Sequence, residues 1–119
     1  MIPRFHVVTD DEILARPDFV IRAREVCESL EIHKSADEGV VDGSLAFHIR
    51  GPRTAARRLT RLARALCDPA AASGITLLVN DRLDIALAVG AAGVHLGTRS
   101  LPPSGAGRLL GASRLMGVS

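Results

Sequence analysis

Apolar residues along this chain gather into five short runs, and the stretches between them carry apolar positions at helical spacing. Phe5 to Val8 reads as a β strand ending at Thr9-Asp10. A helix is predicted from Pro17 to Glu31, with Pro17 in its first turn and Phe19, Ala23, Val26, Cys27 and Leu30 on one side. His33 to Ser44 is polar, contains Gly39 and Gly43, and reads as a loop longer than a compact connection needs. Leu45 to Ile49 is the second strand, ending at Arg50-Gly51-Pro52. The next helix is expected over Arg53 to Ala71 with an interruption near Pro69. Its stripe is Ala55, Leu59, Leu62, Ala63 and Leu66, and Arg57, Arg58, Arg61 and Arg64 lie toward the other side. Ile75 to Val79 is the third strand. Leu83 to Val89 is a helix capped by Asn80 or Asp81 and stopped by Gly90. Gly93 to Leu96 is the fourth strand, and Pro102 to Leu110 a weak helix, since Gly105 and Gly107 each cost about 1 kcal/mol relative to Ala. Arg114 to Ser119 begins a fifth strand.

Strands alternating with helices argue for a parallel α/β sheet joined by right-handed crossovers. The pattern alone does not separate an open doubly wound sheet from a barrel. Composition agrees with this class: the apolar content rests on Ala, Leu and Val, with 3% aromatic residues, which suits parallel strands under Ala/Leu-rich helices. At 119 residues the chain has room for one domain and is short for a complete barrel. A net charge of +2 creates no global field for polyanions or anionic membranes. The arginine row on the second helix lacks interleaved aromatic residues and reads as a solvated face, so no nucleic-acid partner is expected. No apolar run nears the roughly 20 residues of a membrane span, and no leader is read at the start. Cys27 and Cys67 stand apart, outside any CxxC or Cys/His cluster, and are expected as free thiols in a reducing cytoplasm.

Polar or special residues recur where the strands finish: Thr9-Asp10, His48 with Arg50, Asn80-Asp81, His95 with Gly97, and Ser119. In parallel architectures that edge is where ligands bind. Each residue also has a purely structural reading. Arg50 is placed to grip a phosphate, or to pair with a carboxylate such as Asp10. Asn80 and Asp81 suit the cap of the following helix. His95 suits a site, or a packed strand position. Gly97 permits close backbone approach to a ligand, or a tight turn. No GxGxxG follows the first strand and no Walker A loop is present, so a nucleotide-binding fold lacks its signature.

The stretch from Leu77 to Gly97, LLVNDRLDIALAVGAAGVHLG, resembles the NDR…DxAL…GxxGVHLG signature of the thiamine-phosphate synthase/TenI superfamily. The resemblance extends from Val8-Thr9-Asp10 to Gly117-Val118-Ser119. It implies a (β/α)₈ TIM barrel of which this chain supplies about five parallel strands with their intervening helices, a partial barrel. It implies thiamine biosynthesis, with hydroxymethylpyrimidine pyrophosphate or thiazole phosphate as ligand. It implies His48, Arg50, Asn80, His95, Gly97 and Ser119 as substrate-binding positions and Asp81 as the ligand of a Mg²⁺ cofactor. Departures are specific. Where the family reads QLREK this chain reads His48-Ile49-Arg50-Gly51-Pro52, so His48 replaces the Gln and Pro52 the Lys. Ser100 stands at the family's second acidic position. These losses, and the HIR tripeptide, resemble the TenI branch, whose members bind thiazole phosphate and in some cases tautomerise it. A degenerate, non-catalytic binding protein is the competing expectation. A sheet cut after five strands would leave two open edges, so self-association is expected as well.

Overall fold

The computed structural model describes residues 3–35, 44–97, 102–111 and 114–118. In chain order the elements are β1 (Phe5–Val8), α1 (Asp11–Leu14), α2 (Phe19–Ser35), β2 (Leu45–Ile49), α3 (Ala56–Ala72), β3 (Thr76–Asn80), α4 (Leu83–Val89), β4 (Gly93–Leu96), α5 (Pro103–Leu110) and β5 (Leu115–Val118). The strands form one sheet in the order β1-β2-β3-β4-β5, and every neighbouring pair is parallel.

That order answers what periodicity left open. A doubly wound sheet reverses its strand order at a switch point. Here each strand is laid beside its predecessor, and crossovers of one hand then carry all the helices to a single face. Strand alternation separates the two faces. Phe47, Ile49, Leu77, Val79, Val94 and Leu96 join the helical side chains Phe19, Ala23, Cys27, Leu59, Leu62, Ala63 and Leu66 in one core. Phe19 meets Phe47 edge to face at 6.4 Å. The alternate residues face the other way, as the inward side chains of a barrel do. Registers Val8↔His48, Ala46↔Thr76, Asn80↔His95 and His95↔Gly117 place His6, His48, Asn80 and His95 on this inner face.

Several local expectations are corrected. α1 was not foreseen: Asp10 caps it by accepting from the Ile13 N–H at 2.8 Å, with Asp11 and Glu12 in its first turn. α2 begins at Phe19, not Pro17, and runs on to Ser35; the remainder of the expected loop, 36–43, lies outside the described residues. On α2, Val26 is exposed where a core position was expected. α3 starts at Ala56, leaving Ala55 as an exposed cap residue, and continues through Pro69. Pro69 sits in the last turn, where its ring forfeits one intrahelical bond and the chain is about to leave the helix. Arg58 does not belong to a solvated face: its guanidinium donates to the Leu14 carbonyl at 2.7 Å and 3.2 Å, stapling α1 to α3. Gly90 closes α4 in the left-handed conformation, as expected.

Both cysteines are free, Cys27 buried and Cys67 half-buried, and burial pushes both thiols up. Among the described residues no helix is long and apolar enough to cross a membrane.

Candidate functional site

The C-terminal ends of β1 to β4 share one rim because all the strands run in the same direction. Thr9 extends the β1–β2 ladder past the last strand residues. Its N–H donates to the His48 carbonyl at 3.2 Å, and its hydroxyl accepts from the Arg50 N–H at 2.8 Å and donates to the Arg50 carbonyl at 2.9 Å. This pins the backbone of Arg50 while its side chain stays exposed. The alternative of pairing with Asp10 is not what the structure holds: Asp10 caps α1, and among the described residues no carboxylate is paired with Arg50.

Behind Arg50, the Asp11 carboxylate accepts from the Arg53 N–H at 3.0 Å and 3.2 Å and from the Thr54 hydroxyl at 2.6 Å. The Thr54 hydrogen bond is the main cause that holds the Asp11 carboxyl below the usual carboxylate range. Gly51 is required by this packing. A Cβ there would lie 2.6 Å from Leu14 Cδ1, 2.6 Å from Thr54 Oγ1 and 3.0 Å from Asp11 Oδ1. α1 is thus a brace for the β2–α3 loop, which carries Arg50, Gly51 and Pro52. Sequence reasoning missed it, although Asp10 followed by two acidic residues is the signature of a helix start.

Asn80 ends β3 and Asp81 follows in the left-handed region at φ 64, a conformation few non-glycine residues adopt outside Asn and Asp. The Asp81 N–H donates to the His95 carbonyl at 2.8 Å, and its carboxylate accepts from the Gly97 N–H at 2.9 Å. The expected capping role is therefore overturned: Arg82 occupies the α4 cap position without a side-chain cap bond, and Asp81 turns across to the β4 end. At Gly97 the backbone comes close to Asp81, since a Cβ there would lie 3.0 Å from Oδ1.

The inner face carries a feature the sequence reading did not assemble. His6 Nδ1 lies 2.8 Å from His48 Nε2, and His48 Nδ1 lies 2.9 Å from Asn80 Oδ1. The His95 ring stands edge-on to His48 with centroids 5.4 Å apart. Gly117 leaves room for it, because a Cβ would sit 2.5 Å from His95 Nδ1. His48 is 4% exposed, and burial pushes its imidazole below the ordinary 6.5; neighbouring His6 and His95 act in the same direction against the Asn80 bond. His95, read as a single strand histidine, belongs to this row of three rings. His6 was missed. Its signal was a single polar residue inside the apolar strand Phe5–Val8, meaningful only once β1 is known to lie beside β2.

A cavity of about 220 Å³ opens at this rim, lined by Gly51, Pro52, Thr54, Asn80, Asp81 and Arg82 among others. Arg50, Asn80, Asp81, His95 and Gly97 come to one end of the sheet; Ser119 and Ser100 lie outside the described residues. Among the described residues no group of three or more His, Cys, Asp or Glu could by itself hold a metal. Mg²⁺ commonly takes one or two carboxylates and completes its shell with phosphate oxygens and water. Asp81, whose Oδ1 accepts from the Gly97 N–H, would be one protein ligand of such a shell and not part of a standing cage.

Comparison with known proteins follows the same lines. The family described as thiamine monophosphate synthase (TMP-TENI) matches residues 19–119. The chain is 36% identical over 101 residues to a thiamine-phosphate synthase of Azorhizobium caulinodans, covering 85% of this chain and 48% of that protein. It is 43% identical over 91 residues to the thiamine-phosphate synthase of Moorella thermoacetica, covering 76% of this chain and 42% of that one. Among solved structures, the thiamine phosphate pyrophosphorylase of Pyrococcus furiosus shares the fold, with a TM-score of 0.66 at 23% identity over 97% of this chain and 48% of that one. The chain spans about half the length of the curated relatives it matches. Within those bounds, both its residues and its architecture make it a member of the thiamine monophosphate synthase family.

Proposed function

We infer that the chain, as a single partial-barrel domain over its whole length, binds a phosphorylated intermediate of thiamine biosynthesis at the rim of β2, β3 and β4, with thiazole phosphate favoured over hydroxymethylpyrimidine pyrophosphate. The observation that carries this reading is Arg50: an exposed guanidinium, on a backbone pinned by Thr9, unpaired with any carboxylate among the described residues. A planar fork of donors in that position suits two oxygens of one phosphoryl group. Asn80 lines the adjoining cavity and adds an amide to the same group.

The preference for thiazole phosphate rests on charge. Pyrophosphate departure asks for a basic group and a well-held cation, since charge develops on the leaving oxygens. Pro52 supplies no charge where the family's lysine stands, and one oxygen of Asp81 is already taken by the Gly97 N–H. When bound, Mg²⁺ would supply Lewis-acid stabilisation of that leaving group, with Asp81 as its protein ligand. A monophosphate makes smaller demands: it carries less charge and has no departing pyrophosphate to stabilise. The second reading is a binding protein without turnover, favoured by the same replacements. The free thiols of Cys27 and Cys67 suit the reducing cytoplasm in which this reading places the chain.

Calorimetry on the full chain decides between these. Thiazole phosphate binding that is indifferent to Mg²⁺ is expected. Pyrimidine pyrophosphate binding that requires Mg²⁺ would move the assignment to synthase chemistry, and no binding of either would leave the rim without a ligand role.

A further inference from the structure

The row of side chains on the inner sheet face has a direction. Asn80 Oδ1, 2.9 Å from His48 Nδ1, is an amide oxygen and can only accept, so Nδ1 of His48 carries the proton. Burial disfavours the charged form of His48, and in a neutral imidazole whose proton sits on Nδ1 the Nε2 is an acceptor. His6 Nδ1, 2.8 Å from that nitrogen, is then the donor. The bonds run His6 to His48 to Asn80, each N–H pointing toward the rim, and such a chain polarises each member in the same sense. With its oxygen held by His48, Asn80 has only its Nδ2 protons left to offer the cavity formed with Gly51, Pro52 and Asp81. Among the described residues nothing accepts from that nitrogen. The reverse arrangement would turn the amide oxygen outward, suited to a metal ion or a ring N–H.

We propose that His6 is a positioning residue for phosphoryl recognition: acting through His48, it fixes the Asn80 amide with its N–H groups toward the rim cavity. This rests on the reading of the rim as a phosphate site and adds what makes that site select an anion. His48 itself meets no ligand directly, because both of its ring nitrogens are engaged. The family signature contains neither His6 nor the reason for a histidine where the relatives carry glutamine. The relay supplies one: a buried imidazole spans the distance between β1 and β3 and transmits a donor from one to the other.

Long-range ¹H–¹⁵N spectra of the ligand-free chain read the tautomers directly. Protons on Nδ1 of both His48 and His6 are expected, and a proton on Nε2 of His48 overturns the relay. His6→Leu removes the donor; it should mix the His48 tautomers and weaken inorganic phosphate binding by about three- to tenfold, the worth of one neutral hydrogen bond. His6→Asn, whose amide N–H lies near the lost Nδ1–H, should restore most of that affinity, and it remains informative if His6→Leu fails to fold. Phosphate affinity and tautomers unchanged in folded His6→Leu overturn the role of His6 alone. Failure of the wild-type chain to bind inorganic phosphate overturns phosphoryl recognition here and the reading of the rim with it, whereas the spectra decide the relay in either case.

Discussion

Gly51→Ala puts the brace under the site to a quantitative test. The new methyl would stand 2.6 Å from Leu14 Cδ1 and 2.6 Å from Thr54 Oγ1, both well inside contact distance. Leu14 is 0% exposed, and Arg58 holds its carbonyl in place, so relief by moving that side chain disturbs the α1–α3 seam. Overpacking of this kind costs about 1–3 kcal/mol. Alanine restricts the unfolded chain relative to glycine and returns about 0.4–1 kcal/mol. The net is a destabilisation of about 1–2 kcal/mol, the difference of those two effects. In urea, where a domain of this size loses about 1–3 kcal/mol per molar, the midpoint should fall by about 0.5–1 M with an unchanged slope. Because the displaced loop carries Arg50, phosphate-ligand affinity should fall with stability. A Gly51→Ala chain as stable as the parent would refute the argument that α1 packs tightly against this loop.

Three further outcomes follow from the same geometry. Arg50→Gln should reduce binding of a phosphorylated ligand by about 10- to 100-fold, the range for a charge-assisted hydrogen bond, and Arg50→Lys should recover little of it; with the side chain exposed, denaturation midpoints should barely move. His48 has a folded-state pKa below its ordinary 6.5, so the unfolded chain takes up the proton first, and the stability owed to a neutral His48 is complete above pH 6.5 and lost as pH falls toward the folded value. The stability gap between the wild-type chain and His48→Gln should therefore shrink as urea titrations move from pH 7.5 to about 5, and a gap that widens on acidification contradicts a buried neutral imidazole. The edge strands expose Phe5 (66%) and Val118 (55%), so we expect concentration-dependent self-association in sedimentation velocity, and a monodisperse monomer at all concentrations would remove that expectation.

The helices and strands were legible where burial follows from local periodicity. The stripe of Leu59, Leu62, Ala63 and Leu66 is the buried face of α3, and Gly90 ends α4 as its neighbours predict. Asp81 shows the limit. Its letter suits both a cap and a ligand, and only the approach of the Gly97 N–H from another strand turned it away from the helix it precedes. Arg58 shows it again: charge pattern assigns an arginine to solvent, and a carbonyl from α1, forty-four positions away in sequence, claims it.

By itself the sequence determined the alternation of strand and helix, the residues at each strand end and, through one signature, the family. These are short-range properties, set by side-chain spacing and backbone preference. Strand order, the common direction of the five strands and the meeting of His6, His48, Asn80 and His95 on one face were decided only in three dimensions. Parallel pairing joins residues separated by tens of positions, and no local preference encodes which strand lies beside which.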